Sequence, residues 1–194
     1  FGQAFASVNF KRLLPTMSVA LEGSESDVYT LTMTITCDDL LARLDVLGLI
    51  TTTVRHPAVF TVEESKRLRG DIHGAHTKNL FLKDKKGRLW LVVTLEDKDV
   101  DLKALRKEVG AAQLSFGKPC LLSEVLGLEP GSVTPFGVIN DTELRVTVVL
   151  DKGLLTFDVL NFHPLTNTAT TQISPKDLQA FLYDTGHKPE IIVL

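Results

Sequence analysis

Apolar residues recur along this chain with two periods, and each change of period marks an element. Behind Thr36, the leucines Leu40, Leu41, Leu44 and Leu47 fall at helical spacing. Asp39 stands three residues past Thr36, as in a capping box, and Gly48 is a natural stop. "ITTTVRHPAVF" is β-branched and runs into a proline, which predicts a strand leading to a turn. Thr61 and Glu64 form a second capping box ahead of "VEESKRLR", a short helix that Gly70 closes. "TKNLFLKD" and "RLWLVVTLE" flank "KKG", a strand–turn–strand pattern. "DLKALRKEVG" places Leu102, Leu105 and Val109 on one helical face, and "KPCLLSEVLGLEPGSVTPFGVIND" reads as a short helix and then a loop rich in Gly and Pro. "ELRVTVVLD" and "LLTFDVLNF" read as strands. Ser174, Pro175 and Asp177 start a last helix with Leu178, Phe181 and Leu182 inward; Gly186 ends it, and "EIIVL" is a short closing strand.

Strands and helices interleave without a steady βαβα beat, and hairpins are implied. The expectation is an α+β domain over residues 36–194, a mixed sheet with helices packed around it. Residues 1–35 differ, with a polar "EGSESD" patch followed by Leu31, Met33 and Ile35 alternating with threonines. They read as a leader, an extra strand or part of a linker. The chain begins Phe-Gly, which suggests a domain taken from a longer protein.

Composition narrows this picture little. With 194 residues, 44% hydrophobic and 23% charged, the chain is that of an ordinary globular domain. No apolar run approaches the roughly 20 residues of a membrane span, and no secretion leader is visible. Cys37 and Cys120 lie far apart, read as small buried hydrophobes, and fit a reducing compartment such as the cytoplasm. A net charge of −3 argues against wholesale wrapping by nucleic acid. The bases are clustered, however: Lys66, Arg67 and Arg69; Lys83, Lys85, Lys86 and Arg88; Lys103, Arg106 and Lys107. Such clusters bind phosphates or are simply solvated faces, and charge alone favours the second.

Candidate chemistry is sparse. His73 and His76 stand three apart, but a zinc site needs three or four ligands and no third is suggested. There is no Gly-x-Gly-x-x-Gly, no phosphate loop and no Gly-x-Ser-x-Gly. Three features remain. Lys78 and Asn79 stand together at the mouth of a strand. "GSVTP", residues 131–135, can present backbone N–H groups to a carbonyl or oxyanion. His163 precedes Pro164 in "NFHPL". A lysine, an amide, a histidine and a glycine-containing loop could surround a small polar group, and the residues alone say no more.

From about residue 37 to the end, the chain resembles the YbaK/prolyl-tRNA-synthetase-associated family of trans-editing domains. The stretches that carry this are "HTKNLFLKDKKGRLWLVV", "LGLEPGSVTPFGVIND", "VVLDKGLL", "NFHPLTNTATTQIS" and "TGHKPEIIVL". Asparagine after the lysine, where the cysteinyl branch has threonine, is similar to the Ala-tRNA(Pro) deacylases. The resemblance implies a mostly antiparallel sheet, no cofactor, no metal and no covalent intermediate. It implies hydrolysis of the ester joining a wrong amino acid to the terminal ribose of tRNA(Pro), with the ribose 2′-hydroxyl assisting water. Lys78 then matches the essential lysine, and Asn79 and His163 match pocket positions. Gly131 and Pro135 match the ends of the substrate loop that includes Ser132, Val133 and Thr134. Lys66, Arg67, Arg69, Lys85, Lys86 and Arg88 become the candidates for tRNA contact. Prolyl-tRNA synthetase is the implied partner, in cis or in trans, with no membrane. The readings that compete are a non-catalytic tRNA- or synthetase-binding module of this fold and a deacylase for cysteine or serine.

Overall fold

The structure is a computed structural model and describes residues 34–58 and 72–194, all but Thr34 belonging to the unit Ile35–Leu194. The predicted helix with Lys66, Arg67 and Arg69 and the alternation at Leu31 and Met33 lie outside the described residues. In chain order the elements are α1 (Cys37–Val46), β1 (Thr51–Arg55), β2 (Ala75–Asp84), β3 (Leu89–Leu95), α2 (Leu102–Glu108), β4 (Leu114–Phe116) and α3 (Pro119–Leu126). After a 3-10 helix (Pro135–Asn140) come β5 (Val146–Asp151), a second 3-10 helix (Lys152–Thr156), β6 (Leu160–Phe162), β7 (Ala169–Ile173), α4 (Pro175–Asp184) and β8 (Glu190–Ile192).

The capping signals place the helices. Thr36 and Asp39 cap α1 reciprocally, and Ser174 accepts from Asp177 N–H at the start of α4, where Pro175 needs no N–H partner. The sheet runs β1-β7-β6-β2-β3-β5-β8, with β4 also beside β2. β1–β7, β7–β6, β2–β3 and β2–β4 are antiparallel. β2–β6, β3–β5 and β5–β8 are parallel. Because side chains alternate across a strand, β3 serves two cores at once. Leu89, Leu91 and Val93 join α1, α3 and α4 through Leu44, Leu126 and Phe181, while Trp90 and Val92 join Leu105 of α2 on the other face. Phe136 stacks edge-on against both Phe162 and Phe181, at 5.9 and 5.3 Å between centroids.

Three buried aspartates pin the connections. Asp84 accepts from the N–H groups of Lys86, Arg88 and Ala112 and from the Arg88 guanidinium, which closes the β2–β3 turn. Asp141 takes Arg145 and Val146 N–H and the ring of His187. Asp151 takes Lys98, the Thr94 hydroxyl and the N–H groups of Gly153 and Leu194. Burial pushes each carboxyl up, but these donors outweigh it and hold all three below the usual aspartate value of 3.8.

The structure corrects two local expectations. "LLTFDVLNF" is not one strand: Asp151 accepts from Gly153 N–H and starts a 3-10 turn that buries Leu154, and only Leu160–Phe162 is extended. Cys120 is exposed on the first turn of α3, while Cys37 is half-buried and burial pushes its thiol up. Among the described residues no helix is long and apolar enough to cross a membrane.

Candidate active site

The central strand β2 is longer than either neighbour on its second edge. β6 pairs with it only at Ala75 and His76, and β4 only from Leu82 to Asp84. Residues 77–81 have β3 on one side and no strand of the described residues on the other. At about 3.3 Å per residue this opening is roughly 16 Å long. Lys78 and Asn79 lie in it.

Asn79 ties the opening to the Gly-Pro loop. Its Nδ2 donates to Val133 O at 2.9 Å. A carbonyl can only accept, so the amide orientation is fixed, and Oδ1 is left buried without a partner. Buried acceptors of this kind are uncommon and call for an explanation. The loop holds itself: Ser132 donates its N–H and hydroxyl to Glu129 O at 3.1 and 2.8 Å. The buried Thr134 caps the first 3-10 helix, accepting from Phe136 N–H at its hydroxyl and from Gly137 N–H at its carbonyl. Pro135 is buried at the first position of that helix. Among the described residues nothing accepts from the N–H groups of Val133 and Thr134. Gly131 sits at φ +91°, a conformation that favours glycine, although a Cβ there would meet nothing within 4 Å.

Lys78 is in phase with Leu80 and Leu82 and faces Thr94 across the β2–β3 ladder. Its side chain therefore leaves the opposite face of β2 from that of Asn79. Thr94 donates to Asp151 at 3.0 Å, and Lys98 neutralises that carboxylate at 3.0 Å. Lys78 is half-buried and makes no hydrogen bond or ion pair with a described residue. Its charge is therefore not consumed by the nearby acid.

His163 follows β6 two residues past Asn161, just as Lys78 stands two residues past His76, the pair at which β6 parts from β2. It thus borders the same opening. Its Nδ1 lies 3.0 Å from Ala169 O, which obliges that nitrogen to donate and leaves the lone pair of the neutral ring on Nε2. His56, which sequence reasoning passed over, has its ring centroid 6.4 Å from that of His163. Its Nδ1 donates to Pro57 O and its Nε2 accepts from Thr170. The available signal was a second His-Pro step matching His163-Pro164.

The structure thus places the Asn79 side chain, residues 131–135 and, at the border, His163 about one stretch of the β2 edge, with the Lys78 side chain leaving the other face. Of the basic candidates, only those of the hairpin corner are among the described residues. Lys85 and Lys86 are exposed at the hairpin corner. Arg88 is engaged: it bonds Asp84 through two nitrogens, donates to Gly110 O, and lies 5.0 Å over the Trp90 ring. Among the described residues no three His, Cys, Asp or Glu side chains are placed to hold a metal ion.

The chain matches the family Aminoacyl-tRNA editing domain over residues 56–181. It is 42% identical over 157 residues to the Danio rerio prolyl-tRNA synthetase associated domain-containing protein 1, a match covering 80% of this chain and 84% of that protein. It is 38% identical over 156 residues to the prolyl-tRNA editing protein ProX of Acetoanaerobium sticklandii, covering 80% and 95%. Its fold superposes with a TM-score of 0.64 on the crystal structure of a candidate trans-editing enzyme for prolyl tRNA synthetase, at 24% identity and covering 84% and 98% of the two chains.

Proposed function

We propose, for a chain that belongs to the aminoacyl-tRNA editing domain family, that its editing reaction is hydrolysis of alanine from mischarged tRNA(Pro). The observation that carries this reading is the Asn79–Val133 bond, which binds the lysine-bearing strand to the Gly-Pro loop beside the stretch of β2 that no described strand pairs on that edge. An aminoacyl ester is already activated, so the protein has mainly to position it and stabilise charge. Water adds to the ester carbonyl, whose oxygen becomes an oxyanion. The carbon–oxygen bond to the ribose then breaks, the ribose oxygen takes a proton, and alanine leaves as the free acid. Lys78, which no acid among the described residues engages, supplies a compact cation for the terminal phosphate or ribose. The Val133 and Thr134 N–H groups are donors at the loop. His163, with its tautomer set by Ala169 O, orients polar atoms of the substrate. No step in this scheme calls for a metal.

Amino-acid choice is then a matter of size. A pocket closed by Val133 and the buried Pro135 excludes larger groups better than smaller ones, since one methylene is worth about 1–3 kcal/mol. Alanine is therefore favoured, with glycine and serine cleaved more slowly. The partners of this reading are mischarged tRNA(Pro) and prolyl-tRNA synthetase, in the cytoplasm where tRNA is charged. The test is a panel of tRNA(Pro) esters of alanine, serine, cysteine and glycine, each with and without chelator. Alanine fastest in both series supports the reading. Cysteine fastest would assign the chain to a cysteine-removing activity, and chelator inhibition relieved by zinc would require a metal.

A further inference from the structure

We infer that the main chain of Asn79 binds the aminoacyl group itself, pairing with it as one residue of an antiparallel strand pairs with another. This rests on the deacylase reading above and says how that substrate is held.

The phase of the β2–β3 ladder decides which backbone groups are available. Glu96 N–H donates to His76 O and Asp84 N–H to Arg88 O, both at 3.0 Å. The register between these points is unbroken. In an antiparallel ladder every second residue turns its N–H and C=O to the partner. His76, Lys78, Leu80, Leu82 and Asp84 therefore face β3, and Thr77, Asn79, Phe81 and Lys83 face away. The far edge agrees: Gly117 N–H donates to Phe81 O at 2.8 Å and the Ser115 hydroxyl to Lys83 O at 3.3 Å. Thr77 borders β6, where its hydroxyl donates to Asn161 O. Asn79 is the outward-facing residue that neither β6 nor β4 reaches. Among the described residues its N–H has no acceptor and its C=O has no donor. Backbone groups inside a protein are rarely left so, and an open strand edge is a template for pairing.

An aminoacyl ester carries a carbonyl oxygen and an α-ammonium with the spacing of a strand residue's C=O and N–H. Asn79 N–H donates to the ester carbonyl, the oxygen that becomes the oxyanion, and Asn79 C=O accepts from the ammonium. Two bonds between a single pair of residues is the antiparallel geometry. The amino-acid side chain then lies on the face of the Asn79 side chain, toward Val133. The ester oxygen and ribose lie toward Thr77 and Lys78. Proline's secondary ammonium keeps two N–H groups, but its ring fixes their direction and places a carbon near where a strand residue has its N–H, so the cognate prolyl ester makes a poorer second bond.

The test replaces the Asn79 amide N–H by an ester oxygen, using the α-hydroxy analogue of asparagine in the full chain. Single-turnover hydrolysis of Ala-tRNA(Pro) and tRNA binding are measured together, and wild-type protein is assayed on propionyl-tRNA(Pro), which lacks the ammonium. The expected result is a rate loss of about 10²–10³-fold in the backbone variant with tRNA affinity unchanged. Propionyl ester should show a much smaller acceleration over its own spontaneous hydrolysis than alanyl ester. Equal acceleration of the two esters by wild type overturns the pairing, as does an unchanged rate in the variant. If the variant does not fold, the propionyl comparison decides alone. Wild-type protein inert toward Ala-tRNA(Pro) overturns the proposed function and this inference with it; active wild type with an unaffected variant overturns only this inference.

Discussion

At the scale of single residues, Lys78 and Asp151 show how placement decides chemistry. Both lie toward one end of the sheet, but Asp151 is fully engaged by Lys98, Thr94 and backbone donors, and Lys78 is not. Lys78→Ala is expected to lower single-turnover hydrolysis by about 10²–10³-fold, the usual cost of one preorganised electrostatic contact. Its circular dichroism and unfolding midpoint should stay near wild type, because no described group loses a partner. A variant that keeps wild-type turnover would remove Lys78 from the chemistry. The sequence singles out Lys78, Asn79, His163 and the Gly131–Pro135 loop through two short motifs and a His-Pro step, and the structure adds the bond that joins Asn79 to the loop. Their reasons were less legible. Gly131 reads from the sequence as one end of a substrate loop, and the structure adds that its backbone at φ +91° by itself calls for glycine. Arg88 reads as a phosphate ligand, yet Asp84, Gly110 and Trp90 engage its guanidinium.

At the scale of elements, the β2–β3 hairpin depends on one carboxylate. Asp84 joins the turn to Ala112, in the segment between α2 and β4, and so fixes the far end of the opening. Its proton affinity is depressed in the folded chain, as are those of Asp141 and Asp151. The unfolded chain therefore takes up protons first as pH falls below the ordinary value of 3.8, and folded stability is lost as pH passes through the depressed values. Denaturant titrations from about pH 5 to about pH 2 should show this loss. Asp84→Asn should lower stability at neutral pH and flatten the acid dependence; an unchanged slope would mean that Asp84 is not a linked group. The capped helices α1 and α4 and the long strands were readable from period and capping residues. β4 and β7 were not, because strands as short as "LSF" and "ATTQI" carry too few residues to show a period. The 3-10 turn hidden in "LLTFDVLNF" was masked by apolar residues that serve either conformation.

At the scale of the whole molecule, a chain of net charge −3 must hold a polyanion through local charge. Lys85 and Lys86 are exposed and ion-pair with no described residue, so they are the hairpin bases best placed for phosphate contact. Changing both to alanine should raise KM more than it lowers kcat and should flatten the dependence of tRNA binding on salt by about two phosphate contacts. Identical salt slopes would make the corner a solvated face. The site beside Asn79 is proposed to remove alanine, and to spare proline, on tRNA(Pro). The most direct test is the time course of amino-acid release from Ala-tRNA(Pro) and Pro-tRNA(Pro) by the wild-type chain, with spontaneous hydrolysis subtracted. Rapid release of alanine with proline retained is the predicted result; release of both at similar rates, or of neither while tRNA remains bound, would contradict it.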